Sequence, residues 1–309
     1  MQALLKQTLD RAIRYCEGVD ARPVYPAQEH IEALAGLGGP FPERPANPHS
    51  IIQMLDEIGS PATVATTGGR YFGFVTGGSI PVTTAANWLA AIWDQNAAFD
   101  ISTPTGVALE RIALSWVKEA LGLPAEARGA FVTGTSMGNF TALAAARHAQ
   151  LKKLGWDVEA RGLFGAPDIT VVVGEEVHAT LLKALALLGL GRERVVAVPV
   201  DGQGRIRPKM LPPLTETTIV CIQAGNVNSG AFDPAAEICE KAREAGAWVH
   251  VDGAFGLWAA AASNRKGLAA GIAEADSWAT DGHKWLNVPF DSGFAFVAQP
   301  AAHRAAMSQ

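Results

Sequence analysis

Cysteine is scarce in this chain, and its placement excludes several chemistries. Cys16, Cys221 and Cys239 are the only three, and they form no CxxC pair and no metal-ligand spacing. A reducing cytoplasm is the expected compartment. Long apolar runs are missing too. None approaches the roughly 18 residues of a membrane helix. Lys6, Asp10 and Arg11 stand where a signal peptide carries its apolar segment. An excess of one charge sign is also lacking. Lys+Arg is 25 against Asp+Glu 30, a net charge of -5, which gives no footprint for nucleic acid or an anionic membrane. Charged residues make up 18%, below the roughly 25% of an average soluble domain. That share suits a large buried core or an oligomer interface. Apolar residues reach 49%, so intrinsic disorder is excluded. There is no tandem repeat and no low-complexity segment.

What is present falls into two textures. The first residues read as an amphipathic helix with Leu5, Leu9, Ala12, Ile13 and Cys16 on one side. Residues 20–48 hold six prolines and read as an extended arm. A second helix follows, capped by Asn47, with Pro48 in its first turn and Gly59 beyond its end. Residues 66–81, with five glycines, read as loop. Thr103-Pro104 opens a helix that stops at Gly122. From residue 129 onward, β-rich runs (130–133, 169–173, 195–198, 218–223 and 248–252) alternate with helical segments (140–154, 178–188 and 235–245). Two more strands are expected at 276–280 and 293–298. This alternation predicts an α/β fold with a mostly parallel sheet and helices on both faces.

Ligands of such sheets sit beyond the carboxyl ends of the strands. One such end is Gly134-Thr135-Ser136-Met137-Gly138. As G-x-S-x-G it fits a hydrolase's nucleophile elbow, with Ser136 attacking an acyl carbon. As TGxxxG it fits a dinucleotide turn. As a small-residue loop opening a helix it fits a phosphate cradle using backbone N–H groups and the Thr135 and Ser136 hydroxyls. A plain turn with a capping serine is the structural alternative. The dinucleotide version is weakest, since Asn139 holds the third glycine position and no tyrosine (Tyr15, Tyr25, Tyr71) has a lysine four residues on. The hydrolase version lacks an HGGG-type oxyanion loop.

Two further strand ends carry chemistry. Asp252-Gly253-Ala254 follows the apolar run 247–251, and His283-Lys284-Trp285 follows the run near Ser277. A lysine facing an apolar ligand site becomes a nucleophilic amine that forms a Schiff base with an aldehyde. A carboxylate beside a pyridine nitrogen keeps that nitrogen protonated, so that the ring accepts electrons. Small residues after it let a flat ring approach the backbone. His178 opens a helix and fits either a cap or a ring-stacking partner. Taken singly, each of these residues also has an ordinary structural reading.

Taken in order, Thr135/Ser136, His178, Asn226, Asp252-Gly253-Ala254, Asp276-Ser277 and His283-Lys284-Trp285 resemble the pyridoxal-phosphate-dependent group II amino-acid decarboxylases. The resemblance covers roughly residues 60–298. It includes Tyr71-Phe72 before a glycine loop, Gly230-x-Phe232-Asp233 before a helix, and Phe290-Asp291-Ser292 before the last strand. It implies fold type I, the aspartate-aminotransferase-like large domain, with a seven-stranded sheet. It implies Lys284 as the imine-forming lysine, Asp252 at the pyridinium nitrogen, and Ala254 and His178 on the two faces of the ring. Thr135, Ser136 and His283 hold the phosphate, Asn226 lies near the phenolic oxygen, and Tyr71 and Phe72 line the substrate pocket. A homodimer is implied as well.

The chain departs from the family at Asp281-Gly282, where Asn-Pro is common. It also ends 25 residues after Lys284, at Gln309, where the family continues into a mobile loop and a small C-terminal domain. The expected division is an N-terminal helical arm at 1–60 and a cofactor-binding large domain at 61–309, without the small domain. The expected function is decarboxylation of an L-amino acid with pyridoxal 5'-phosphate, weak or absent in this chain alone. The alternatives are Cα–Cβ lyase or aminotransferase chemistry, a serine hydrolase using Ser136, and a non-catalytic cofactor-binding protein.

Overall fold

The computed structural model describes residues 1–97 and 99–308. The chain divides into two compact units, residues 1–78 and 79–309. The first unit holds helices α1 (Gln2–Gly18), α2 (Gln28–Ala33) and α3 (Pro48–Met54). The Asn47 side chain accepts a hydrogen bond from the His49 N–H and so caps α3 as its sequence predicts. Helix α2 corrects the extended-arm reading of residues 20–48. The prolines there leave a gap between Pro26 and Pro40, long enough for a short helix in which no proline removes a donor.

The second unit begins with α4 (Pro81–Trp93) and α5 (Pro104–Ala120). Thereafter strands and helices alternate: β1 (Arg128–Val132), α6 (Thr135–Lys153), α7 (Val158–Arg161), β2 (Thr170–Gly174), α8 (Ala179–Leu187), β3 (Val196–Val198), β4 (Thr218–Gln223), α9 (Ala235–Ala245) and β5 (Trp248–Asp252). Then come β6 (Ser277–Asp281), β7 (Gly293–Val297) and α10 (Pro300–Met307). The seven strands form one sheet in the order β1-β7-β6-β5-β4-β2-β3. Only β7 runs against its neighbours; the pairs from β6 to β3 are parallel.

Period-two alternation sends strand side chains to two cores. Val220, Ile222, Val249 and Val251 pack with Ile238, Cys239 and Ala242 of α9 on one face. Ile219, Cys221 and Trp248 pack with α6 and α8 on the other. Helix α6 is the central element of that second face. Ala142, Ala144, Ala145 and Ala146 are all at most 2% exposed, and their short side chains let the helix lie close to the sheet. Gly138 is required for that approach. A Cβ there would stand 2.9 Å from the Ala279 Cβ and 3.1 Å from the Phe294 carbonyl oxygen. The first turn of α6 is thereby pressed onto β6 and β7, beside their functional ends.

Candidate active site

Five strand ends deliver polar side chains to one edge of the sheet. Thr133 to Ser136 follow β1, His178 follows β2, Gln223 ends β4, Asp252 ends β5, and Asp281 ends β6 with His283 and Lys284 just after it. Together they line a cleft of about 370 Å³. Gly293 opens β7 opposite both Val132 and Asp281. Its bare α-carbon lets the Gly134 backbone pass, since a Cβ there would lie 2.6 Å from the Gly134 Cα.

Of the residues named from sequence, Thr135, Ser136, His178, Asp252, Ala254, His283 and Lys284 all line this cleft. Asn226 does not. It is 1% exposed, its Oδ1 accepts from the Asn228 and Ser229 N–H groups, and its Nδ2 donates to Glu176 Oε2 at 3.0 Å. The amide is consumed in building the turn after β4; Gln223, not Asn226, faces the cleft from that strand. Tyr71 and Phe72 belong to the N-terminal unit, where Phe72 is exposed.

Asp281 is a site residue that sequence reasoning noted only as a departure. It is buried, and its Oδ1 accepts from the Thr135 N–H at 2.6 Å while its Oδ2 lies 3.2 Å from Lys284 Nζ. It therefore anchors the first turn of α6 and holds the lysine amine at the same time. His283 is oriented by its Nδ1, which accepts from the Ser292 N–H at 3.1 Å. Its ring centroid stands 4.1 Å from that of Phe290, and its Nε2 points at Asp281 Oδ1, 3.6 Å away. His178 caps α8: its Nδ1 accepts from the Thr180 N–H. In the neutral ring the proton then sits on Nε2.

Asp252 is 6% exposed. Burial pushes its carboxyl above the usual range, while the Asn139 amide, the Ala254 N–H and the nearness of His178 and Lys284 pull it back. Asn139 Nδ2 donates to its Oδ2 at 3.0 Å and Ala254 N–H to its Oδ1 at 3.3 Å. Gly253 keeps this turn compact, since a Cβ there would meet Leu257 Cβ at 2.6 Å.

The arrangement suits an anionic, aldehyde-bearing aromatic ligand. Thr135 Oγ1 is buried and has no hydrogen-bond partner among the described residues. It lies in the first turn of a 19-residue helix, where the helix dipole and N–H groups favour an anion. Such an orphaned buried hydroxyl costs roughly 1–3 kcal/mol unless a ligand satisfies it. Across the cleft stand the Lys284 amine and a buried carboxylate that calls for a cationic partner. Ser136 also faces the cleft, yet among the described residues no histidine hydrogen-bonds its hydroxyl, so the serine-hydrolase pairing is not assembled.

Comparison with known proteins agrees with this chemistry. Residues 37–306 match the family model of the pyridoxal-dependent decarboxylase conserved domain. An aromatic-L-amino-acid decarboxylase of Bacillus atrophaeus is 27% identical over 308 residues, covering 96% of this chain and 61% of that protein. An acidic amino acid decarboxylase of Bos taurus is 28% identical over 246 residues, covering 77% of this chain and 46% of that protein. The chain thus spans about half to six-tenths of the length of these relatives. The crystal structure of mouse CSAD superposes with a TM-score of 0.87 at 23% identity, over all of this chain and 67% of that one. That of Oryza sativa TDC with PLP and tryptamine gives 0.88 at 22%, over all of this chain and 66% of that one. The fold is therefore that of the fold type I pyridoxal-dependent decarboxylases.

Proposed function

This chain belongs to the pyridoxal-dependent decarboxylase family, and from that premise we propose that it removes the α-carboxylate of an L-amino acid with pyridoxal 5'-phosphate held at Lys284. The observation that carries the reading is the meeting of Lys284, Asp252 and the α6 N-terminal turn in one cleft. When bound, the cofactor supplies an aldehyde for the lysine amine and a protonated pyridine ring that takes up the electron pair of the bond broken at Cα.

The chain's own residues supply the rest. Lys284 Nζ is the nucleophile, and Asp281 Oδ2 holds it 3.2 Å away, at the cleft wall. The hydroxyls of Thr135 and Ser136 and the free N–H groups of the first α6 turn would hold the phosphate, with His283 beside them. Asp252 would keep the proton on the ring nitrogen, and Ala254 and His178, which line the same cleft, would flank the ring.

The protein acts as a homodimer in the cytoplasm. Neither α4 nor α5 buries a residue, and Leu89, Ile92, Trp93, Leu109, Ile112 and Trp116 all stand exposed on the single chain. An apolar surface of this kind marks an interaction site. No helix among the described residues is long and apolar enough to cross a membrane, and Cys221 and Cys239 are free buried thiols.

Borohydride reduction of the protein incubated with pyridoxal phosphate should fix the cofactor on the peptide that contains Lys284, and Lys284→Ala should abolish the label. Label on another lysine, or fluorophosphonate labelling of Ser136 with matching esterase activity, would overturn the reading.

A further inference from the structure

A row of buried polar side chains runs behind the cleft wall. Trp248 Nε1 donates to Ser277 Oγ at 2.9 Å. Ser277 Oγ lies 2.9 Å from His250 Nδ1, and His250 Nε2 lies 2.9 Å from Asn139 Oδ1. Asn139 Nδ2 then donates to Asp252 Oδ2 at 3.0 Å. Ser277, His250 and Asn139 are 0% exposed, and Trp248 1%. The β5–β6 register sets His250 directly beside Ser277.

Both ends of this row fix its direction. The Trp248 indole can only donate, and an ionised Asp252 can only accept. Asn139 therefore turns its NH₂ to Asp252 and its oxygen to His250. His250 must carry its proton on Nε2 to meet that oxygen, so its bare Nδ1 accepts the Ser277 hydroxyl proton. Every donor points toward Asp252. Burial keeps the imidazole neutral, with its pKa pushed down to about 3, which the single-proton arrangement requires.

We infer that Asn139 and His250 are positioning residues for Asp252: this one-directional chain of hydrogen bonds fixes the orientation of the carboxylate and supports its charged form. The inference rests on the cofactor reading above. Its physical sense lies in a conflict at Asp252. Burial drives the carboxyl toward the neutral acid, which could not pair with a pyridinium. A polarised chain of donors opposes that drive, because hydrogen bonds in series strengthen one another. Asn139 also stands four residues after Thr135 on α6. The helix whose first turn would bind phosphate thus also carries the group that aims the ring-nitrogen carboxylate, so both ends of the cofactor are referenced to one rigid element.

The test has a cofactor-free and a cofactor-bound arm. In the cofactor-free chain, nitrogen NMR of the imidazoles should give His250 as the neutral Nε2–H tautomer; the Nδ1–H tautomer would overturn the chain of donors whatever the protein binds. With pyridoxal phosphate labelled at its ring nitrogen, Asn139→Leu should shift that resonance toward the unprotonated position. It should also raise the cofactor Kd by roughly ten- to hundredfold, the weight of one charge-assisted hydrogen bond. His250→Gln, whose amide can still donate to Asn139, should keep the parent resonance and stay within about threefold in Kd, a rescue that a purely space-filling role would not produce. If Asn139→Leu does not fold, Ser277→Ala reads the same chain and should shift the resonance in the same direction by less. A folded Asn139→Leu with the parent resonance and Kd overturns the inference and leaves Lys284 labelling intact. A parent chain that takes no cofactor onto Lys284 overturns the functional reading, and this inference with it.

Discussion

Asp252→Asn isolates the charge of one carboxylate while leaving its size unchanged. The parent carboxylate accepts two hydrogen bonds, from Asn139 Nδ2 and from the Ala254 N–H. An asparagine has one oxygen for these two donors. Asn139 cannot turn its amide around, because its oxygen faces His250 Nε2. The new side chain must therefore give its oxygen to Asn139 and present its NH₂ to the ligand. An NH₂ group meets an unprotonated ring nitrogen well and a protonated one badly, so the substitution does more than delete a charge. An opposite charge in hydrogen-bond contact moves a pKa by roughly 1–3 units, or about 1.4–4 kcal/mol at 1.36 kcal/mol per unit. The ratio of protonated to unprotonated ring should therefore fall by roughly ten- to a thousandfold. At saturating pyridoxal phosphate the variant should stay coloured through Lys284. An absorbance titration should give a lower ring pKa, and carbon dioxide release from carboxyl-labelled L-amino acids should drop from the parent level in step with the protonated fraction that titration gives at the assay pH. The cofactor-free variant should unfold within about 1 kcal/mol of the parent, since the lost hydrogen bond is offset by a smaller burial cost. A variant with the parent's ring pKa and the parent's rate would reduce Asp252 to a turn residue.

Acid should destabilise the protein partly through His250. Its folded pKa, about 3, lies below the ordinary 6.5, so its contribution is fully present above pH 6.5 and is lost as pH falls toward 3; between pH 6.5 and 5 that loss is about 2 kcal/mol. Urea unfolding should show this slope in the parent and a shallower one in His250→Gln; equal slopes would refute a buried neutral imidazole. Gly138→Ala should destabilise by roughly 1–3 kcal/mol, despite alanine's helix preference of about 1 kcal/mol. The new methyl meets the Ala279 Cβ and a backbone carbonyl, neither of which can swing aside. An unchanged or raised urea midpoint would show that α6 is not pressed onto β6 and β7.

The strands were legible to within about two residues because each is a short run that contains β-branched or aromatic residues. Four helices, α2, α4, α7 and α10, were not. Helix α2 hides between prolines, and α4 follows a glycine-rich loop and opens on the β-branched run Val82-Thr83-Thr84, which masks the helical stripe of Trp88, Leu89, Ile92 and Trp93. Helix α6 begins at Thr135, five residues before the expected start, because Gly138 looks like a loop residue until the close contact with Ala279 is known. At the cleft, Asp252 stood out as a carboxylate closing an apolar strand, and Lys284 through its His283-Lys284-Trp285 setting just after another strand. Asn226 is chemically as suitable as Gln223, and only the turn after β4 decides which of them faces the cleft.

Asn139 and His250 were beyond sequence reasoning for a different reason. His250 reads as an interruption in an apolar strand, and Asn139 as one more small polar residue after a glycine loop. The hydrogen bond between them spans 111 residues, and the one from Asn139 to Asp252 spans 113. It forms only because Gly138 lets α6 descend onto the sheet and the β5–β6 register puts Ser277 beside His250. A buried histidine in a parallel strand is costly unless both ring nitrogens find partners. Here both do, and the row they join ends on the one carboxylate that the proposed chemistry needs charged. The order of causes therefore runs from a missing methyl group at Gly138, through the seating of a helix, to the charge state of Asp252. A search for the reactive residues alone would find Lys284 and Asp252 and miss the packing that governs them.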